Sequence, residues 1–214
     1  MITRAVVKGV GHYLPKRIVT NKEFEATLET SDEWIYTRSG IKQRHLAVDG
    51  ETTSDIAILA AKAALKDAKM HAEEIDAIIL ATSTADLTFP SAATMVQTGL
   101  KMEAGFAYDV QAVCAGFVFA LSTANAQILA GQARRVLVIG AETFSRLMDW
   151  EDRSTCVLFG DGAGALILEA HEGNGSSDDR GILSVDLNSD GRYKDILYVD
   201  GGVSTGKTGF LRMV

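Results

Sequence analysis

The segment DVQAVCAGFVFAL, residues 109–121, contains the side chain with the clearest chemical potential, the thiol of Cys114. After Asp109 the chain has no charged residue as far as Gln132, and Cys114 lies near the start of this uncharged stretch. Such a stretch predicts a buried helix. The N-terminus of a helix favours the negatively charged thiolate, because its first N–H groups lack partners and the helix dipole is positive there. Cys114 is therefore a candidate nucleophile, and Gly116 would leave room for close approach. A packing role as a small hydrophobic residue fits this segment equally well.

Two glycine-rich motifs could bind nucleotides. Gly201–Thr208, GGVSTGKT, matches the phosphate-binding P-loop pattern after a strand-like run, but Gly209 follows where a helix should continue. A P-loop nucleotide-binding protein is therefore one alternative function. Gly160–Gly164, GDGAG, lacks the helix that a dinucleotide site needs, so a tight hairpin between two apolar runs is favoured. Cys156 begins those runs and is interpreted as a packing residue.

The composition limits the class of protein. The chain has 214 residues, 47% hydrophobic and 23% charged, which is typical of a globular protein with a sizeable core. A net charge of −7 argues against nucleic acid and anionic membranes as partners. Polar residues within the uncharged run argue against a membrane span. We see no secretory signal, disulfide framework or metal-ligand spacing, and therefore predict a cytoplasmic protein without a metal site.

The hydrophobic pattern predicts alternating strands and helices. Strands are expected at 5–10, 77–82, 106–110 and 135–139, with a return hairpin in 11–21 and two short strands in 182–199. Helices are expected at 22–28, 31–38, 91–98, 114–130 and after Thr53, the last with Ile56, Leu59, Ala60 and Ala63 on its buried face. This order predicts an α/β fold with a mostly parallel sheet.

Four ordered segments resemble a known family. They are TSDEWIYTRSGIKQRH (30–45), ATSTADLTFPSAA (81–93), AYDVQAVCAGFVFAL (107–121) and DRSTCVLFGDGAGALIL (152–168). They resemble β-ketoacyl-acyl-carrier-protein synthase III, the initiating condensing enzymes of type II fatty acid synthesis in the thiolase superfamily. The resemblance implies a thiolase-like αβαβα layered fold. It divides the chain into an N-terminal half (1–170), a linker (171–181) and a C-terminal half that has only begun (182–214).

The resemblance also implies a reaction. Cys114 would take an acyl group, by default acetyl, from acyl-CoA, and its backbone N–H would help to hold the oxyanion. The loaded enzyme would then condense this group with malonyl-acyl-carrier protein to initiate fatty acid synthesis. Acyl-CoA is a substrate here, so no cofactor is implied. The family pattern further implies a homodimer.

Five more positions match residues of the family. Trp34 and Arg153 match a pair that sandwiches the adenine of CoA, and Arg38 matches a residue at the CoA entrance. Thr30 would hydrogen-bond the nucleotide end, and Phe89 would reach the partner subunit's acyl pocket. Simpler alternatives are a helix-face aromatic for Trp34, solvated charges for the arginines, a helix cap for Thr30 and a core aromatic for Phe89.

The chain departs from the family in one respect. The family's catalytic histidine and asparagine lie downstream of the nucleophile. None of the histidines present matches that motif; they are His12, His45, His71 and His171. We therefore expect residues 1–214 to be a fragment that does not decarboxylate malonyl groups by itself. A non-catalytic thiolase-fold subunit is a further alternative, against which the presence of Cys114 argues.

Overall fold

The computed structural model describes residues 2–214, which divide into two compact units. The first comprises Ile2–Tyr13, Glu51–Glu142 and Ala163–Leu187, and the second Leu14–Gly50, Thr143–Gly162 and Asn188–Val214. Each unit has buried apolar clusters of its own. The division into halves at 171–181 stays a prediction.

Nine strands and six α-helices are found among the described residues. The strands are β1 (Ile2–Tyr13), β2 (Arg17–Thr20), β3 (Gln43–Leu46), β4 (Ala77–Ala81), β5 (Phe106–Val110), β6 (Arg135–Glu142), β7 (Gly162–Gly173), β8 (Leu197–Val199) and β9 (Leu211–Met213). The helices are α1 (Asn21–Glu25), α2 (Asp32–Ser39), α3 (Thr53–Ala68), α4 (Ala92–Gly99), α5 (Gly116–Leu129) and α6 (Arg153–Cys156).

The first unit is built on a five-stranded sheet of order β1-β7-β6-β4-β5. Strand β4 pairs in parallel with both β5 and β6, whereas β1 and β7 are antiparallel. All five residues of β4 are buried, because helices cover both faces of the sheet. Ile78 and Leu80 pack among α3 and α4 residues, and Ile79 packs among α5 residues. The predicted α/β arrangement around a parallel sheet is confirmed for these strands.

Helix α3 turns a different face to the sheet from the one predicted. Ile56 and Ala60 are buried as expected, but Leu59 is 41% exposed, and the buried face continues through Ala57, Ala61 and Ala64. The reason is that α3 lies against β1, where glycines allow only small side chains between helix and strand. Larger apolar residues are normally taken to mark the core, and here that rule misleads.

Helix α5 begins two residues later than predicted. Cys114 lies in a separate 3-10 turn, Val113–Ala115, and the α-helix starts at Gly116. Its buried face towards the sheet is formed by Gly116, Ala120, Ala124 and Ile128. With 14 residues α5 is short, and within the described part of the chain we find no helix long and apolar enough to cross a membrane.

The second unit has its own core and a small sheet. Strand β2 pairs with β3, so the predicted return hairpin onto β1 is wrong. Val19 of β2 is buried with Phe24 and Ile35, and this packing keeps the strand in the second unit. Helix α1 begins at Asn21, whose buried side-chain amide donates hydrogen bonds to the Asp32 carboxylate and the Ile41 carbonyl oxygen.

Two predicted strand pairs are absent from the described residues. The GDGAG segment is not a hairpin: β7 begins at Gly162, and 157–161 forms no strand. The buried carboxylate of Asp161 instead accepts hydrogen bonds from the Ser145 and Ala47 backbone N–H groups, at 2.8 and 2.7 Å. In 182–199 only β8 forms, and it pairs with β9.

Candidate active site

Cys114 follows the carboxyl edge of the parallel strands. Strand β5 ends at Val110, whose carbonyl oxygen accepts a hydrogen bond of 3.2 Å from the N–H of Thr82, directly after β4. The carboxyl ends of parallel strands meet at one edge of a sheet, where ligand sites of α/β proteins are commonly built. Cys114 is exposed in the turn four residues beyond Val110. It is therefore accessible at the edge where a substrate could be held.

The turn that carries Cys114 has an unusual backbone. Val113 has a φ of +48°, a left-handed conformation that is sterically unfavourable for a β-branched residue. Such residues cost about 1–3 kcal/mol and persist only where the surrounding structure enforces them. Here the chain must reverse sharply between β5 and α5. The reversal leaves Cys114 and Ala115 exposed, whereas Gly116, the first residue of α5, is buried.

Two glycines bring the start of α5 onto the sheet. A methyl group on Gly116 would lie 3.2 Å from the Cβ of Ala81 in β4. A methyl group on Gly140 in β6 would lie 3.2 Å from the Phe117 ring. Gly116 is buried, so it provides close packing of helix on strand and leaves no room for a substrate. The start of α5, directly after the Cys114 turn, thus packs closely against β4 and β6.

Asp109 is a site-forming residue that the sequence did not reveal. Its two carboxylate oxygens accept hydrogen bonds of 2.8 Å from the backbone N–H groups of Ala92 and Ala93. These groups are in the first turn of α4, where a negative charge is favoured. The carboxylate therefore links β5, just before Cys114, to the start of α4. An acidic residue at the end of a predicted strand is the signal that could have suggested this role.

Phe89 lies in the connection between β4 and α4, residues 82–91, which we call the Phe89 loop. Its side chain is 82% exposed, so the interpretation as a core aromatic is wrong. The loop starts at the same sheet edge as the Cys114 turn. At this edge the carboxylate of Glu142, the last residue of β6, accepts hydrogen bonds from Ser83 and Thr84. Glu142 is a second residue that the sequence did not reveal.

The second unit brings three of the predicted residues together. The guanidinium carbon of Arg38 lies 4.5 Å from the centroid of the Trp34 ring, and that of Arg153 lies 4.7 Å from it. Arg38 follows Trp34 by one turn of α2, and Arg153 begins α6 and donates a hydrogen bond to the Glu29 carbonyl. Arg153 stacks on Trp34 directly, without space for an adenine between them. Their role towards CoA stays a prediction.

Thr30 does not cap α2. Ser31 holds that position, and its hydroxyl accepts a 3.0 Å hydrogen bond from the Trp34 N–H. The hydroxyl oxygen of Thr30 is buried and has no hydrogen-bond partner among the described residues. A buried unsatisfied polar group costs about 1–3 kcal/mol. The Thr30 hydroxyl is therefore an unsatisfied polar group just before α2.

Cys156 differs from Cys114 in its accessibility. It is fully buried at the end of α6, not at the start of a strand. Burial, and secondarily the charge of Asp152, raises the pKa of its thiol to about 11. The thiol therefore stays protonated near neutral pH, and the interpretation as a packing residue is confirmed.

The P-loop prediction fails on its structural context. Gly201–Thr208 lies in the connection of the β8–β9 hairpin, where the Gly202 N–H donates to the Lys207 carbonyl at 2.9 Å. A strand follows, whereas a P-loop needs a helix whose N-terminus faces the phosphates. This geometry gives no support to a nucleotide-hydrolysing function.

Comparison with known families agrees with the resemblance seen in the motifs. A sequence model of the 3-oxoacyl-[acyl-carrier-protein (ACP)] synthase III family matches residues 108–191. The chain is 75% identical over 213 residues to the β-ketoacyl-[acyl-carrier-protein] synthase III of Ruegeria pomeroyi, covering 100% of this chain and 66% of that protein. It is 74% identical to the protein of the same name from Roseobacter denitrificans, with the same coverage. The chain thus spans 66% of the length of these curated relatives.

Solved structures agree in fold. The 3-oxoacyl-[acyl-carrier-protein] synthase III of Aquifex aeolicus superposes with a TM-score of 0.88 at 45% identity, over 98% of this chain and 64% of that one. The 3-oxoacyl-(acyl carrier protein) synthase III of Pseudomonas aeruginosa superposes with a TM-score of 0.89 at 41% identity, over 98% and 63%. The prediction of a thiolase-like α/β layered fold is confirmed.

Proposed function

The chain belongs to the β-ketoacyl-[acyl-carrier-protein] synthase III family, and we propose that the protein is an acyltransferase that initiates fatty acid synthesis. The Cys114 thiolate attacks the carbonyl carbon of acyl-CoA, and the resulting tetrahedral adduct expels the CoA thiolate. Malonyl-acyl-carrier protein then loses CO₂, and the carbanion so formed attacks the acyl thioester on Cys114. The products are 3-ketoacyl-acyl-carrier protein and the regenerated thiolate. Acetyl is the proposed starter.

The observation that carries this proposal is the contrast between the two cysteines. Cys114 is exposed in a strained turn at the carboxyl edge of the sheet, whereas Cys156 is buried and protonated. A reactive cysteine needs access and a setting that favours the thiolate, and Cys114 has the access. Because Cys114 lies in the first turn after β5, its backbone N–H is placed where helical turns leave donors unpaired. This N–H is the proposed oxyanion donor.

The function is tested by the complete reaction. The full-length protein is purified and incubated with acetyl-CoA and malonyl-acyl-carrier protein, and the carrier protein is analysed by mass spectrometry for the 3-ketoacyl product. Formation of the product together with an acyl adduct on Cys114 supports the proposal. A folded protein that is never acylated would instead support the non-catalytic thiolase-fold subunit.

We further propose that the cluster of Trp34, Arg38 and Arg153 binds the nucleotide end of CoA. An aromatic face and two guanidinium groups suit an adenine and its phosphates. The unpaired Thr30 hydroxyl offers a hydrogen bond in the same unit. Because Arg153 is exposed, it can leave the Trp34 ring to admit the base.

Replacement of Trp34 by alanine is expected to raise the KM for acyl-CoA by about tenfold, with kcat changed by less than about twofold. The stack binds substrate and transition state equally, so its loss affects binding and leaves the chemical step unaltered. Steady-state kinetics with acetyl-CoA measures both constants. Trp34→Phe is the matched control and should retain most of the affinity. An unchanged KM in Trp34→Ala would contradict the CoA assignment.

We propose that the protein is a cytoplasmic homodimer that uses no cofactor and binds neither nucleic acid nor membrane. Strand β5 is an edge of the sheet, and edge strands offer unpaired backbone groups to another chain. Phe106 on this strand is 38% exposed, and the exposed Phe89 belongs to the same unit. An apolar edge of this kind suits pairing with a second copy.

Replacement of Phe106 by lysine is expected to raise the dimer dissociation constant by at least about tenfold, because charges on an edge strand oppose pairing. Val7→Lys on β1, the opposite edge of the same sheet, is the matched control and should leave the dimer intact. Sedimentation velocity over a range of concentrations measures the constant. Equal effects of the two variants would exclude β5 as the dimer edge.

A further inference from the structure

Glu142 is a partly buried carboxylate that forms no salt bridge within residues 2–214. Its Oε1 accepts a 2.7 Å hydrogen bond from the Ser83 backbone N–H, and its Oε2 accepts one of 2.5 Å from the Thr84 hydroxyl. Burial raises the pKa of Glu142, and the hydrogen bonds from residues 82–84 offset this only in part. The attachment of Glu142 is therefore almost wholly to the Phe89 loop.

The loop has two further attachments, both to the first turn of α3. The hydroxyl of Thr53 donates to the Thr84 carbonyl oxygen at 2.6 Å. The carboxylate of Asp86 accepts from the backbone N–H and the hydroxyl of Ser54, at 2.9 and 2.7 Å. Beyond Asp86 the loop is exposed as far as Pro90, and Phe89 stands in this exposed part. Glu142 and α3 thus hold the base of the loop and leave its tip free to contact a ligand.

The Phe89 loop and the Cys114 turn begin at the same edge of the sheet. The Phe89 loop leaves the end of β4, and the turn with Cys114 leaves the end of β5. The two starting points are joined by the hydrogen bond from the Thr82 N–H to the Val110 carbonyl oxygen. The loop ends at α4, whose first N–H groups are held by Asp109. A shift at Ser83 and Thr84 would therefore move Phe89, which by the resemblance reaches into the acyl pocket of the partner subunit in the proposed homodimer.

The free-energy cost of withdrawing the Glu142 carboxylate from water indicates that this residue does more than fill space. A raised pKa means that the folded protein binds this proton more tightly than the unfolded chain does. The stability linked to Glu142 is thus present at low pH and is lost as the pH rises through its folded-state pKa. An apolar side chain of similar volume would avoid the cost of withdrawing this charge from water in part. Buried polar groups can instead select one conformation among several.

We propose that Glu142 is a positioning residue that holds the Phe89 loop in one conformation, so that the loop determines which acyl groups reach Cys114. This role rests on the proposed function. Glu142 itself need not touch the substrate. It acts through Ser83 and Thr84, and the loop carries the effect to Phe89.

The test compares Glu142→Leu with Glu142→Gln. The leucine keeps the volume and removes both acceptors, whereas the glutamine keeps an acceptor for the Ser83 N–H and can bond the Thr84 hydroxyl. Glu172→Gln, an exposed glutamate on β7, is the matched control. Three quantities are measured in the full-length protein: hydrogen exchange of the Ser83 amide, the thermal unfolding midpoint, and the rates of Cys114 acylation by acetyl-CoA and hexanoyl-CoA.

We expect Glu142→Leu to fold cooperatively, to exchange the Ser83 amide at least about tenfold faster, and to change the acetyl-to-hexanoyl rate ratio by at least about threefold. Glu142→Gln and Glu172→Gln should stay close to the unmodified protein. A lower stability alone would not alter a ratio of two rates in one variant. An unchanged ratio and unchanged Ser83 exchange in Glu142→Leu would overturn the proposal.

The design separates this proposal from the proposed function. If the unmodified protein is not acylated at all, the proposed function fails and the effect on acyl choice fails with it. Hydrogen exchange at Ser83 still decides whether Glu142 holds the loop. If Glu142→Leu does not fold, Thr84→Val takes its place, because it removes the hydroxyl that donates to Glu142. The same ratio of acylation rates then decides, and an unchanged ratio would overturn the proposal.

Discussion

In the full-length protein, the Cys114→Ala variant should fold like the unmodified protein and lose covalent acylation, with the rate of condensation reduced by at least about a thousandfold. The reason is that alanine removes the only atom that can form the thioester, while the exposed position requires no repacking. Intact-protein mass spectrometry after incubation with acetyl-CoA measures the adduct. The mass increase of one acetyl group should appear in the unmodified protein and be absent from the variant.

Cys156→Ala is the matched control for this experiment. It removes the second thiol of the chain, which is fully buried, and it should lower the free energy of unfolding by about 1 kcal/mol or more through the cavity that remains. The acyl adduct should still form on Cys114, because burial keeps the Cys156 thiol protonated and this thiol therefore takes no part in acylation. An adduct that persists in Cys114→Ala and disappears in Cys156→Ala would reverse the assignment of the two cysteines.

The Gly11→Ala variant should lose about 3 kcal/mol of its free energy of unfolding, the upper end of the usual cost of overpacking. A methyl group at Gly11 would overlap with the backbone nitrogen of Ala64 and the carbonyl oxygen of Ala60 in α3. These are backbone atoms, so no side-chain rotation can relieve the overlap, and the helix must move away from β1. Because α3 also carries Thr53 and Ser54, its displacement should loosen the base of the Phe89 loop.

Gly164→Ala provides the matched control in the neighbouring strand. Gly164 lies on β7 opposite His12 of β1, and a methyl group there would meet no atom within 4 Å. We expect a change in the free energy of unfolding of less than about 0.5 kcal/mol. Urea denaturation followed by circular dichroism measures both variants. A loss in Gly11→Ala as small as that in Gly164→Ala would mean that β1 tolerates substitution and that the contact with α3 is looser than described.

Local patterns predicted the central elements of the fold well. The bounds of β5 were predicted to the residue, and those of β4 to within one, because a short apolar run bounded by polar residues has few other stable conformations. The alternation of strands and helices then limited the topology to a parallel arrangement of β4, β5 and β6. These features depend on neighbours in the chain and are therefore visible in the sequence.

The errors concern contacts between distant residues. The buried face of α3 depends on the glycines of β1, and the pairing of β2 depends on β3 rather than on its neighbour β1. The GDGAG segment is predicted to form a hairpin, but its Asp161 is buried and accepts hydrogen bonds from the backbone N–H groups of Ala47 and Ser145. None of these partners is close in sequence, so no local pattern could have revealed them.

The sequence by itself determined the family and the candidate nucleophile, because four motifs in order carry Cys114, Trp34, Arg38 and Arg153, and residue identity is what defines a motif. Only the tertiary structure distinguished the accessible Cys114 from the buried Cys156. It alone also revealed Asp109 and Glu142 at the carboxyl edge of the sheet. Exposure and hydrogen bonding are set by how distant segments pack, and a carboxylate gives no sign in the sequence of which N–H groups will surround it.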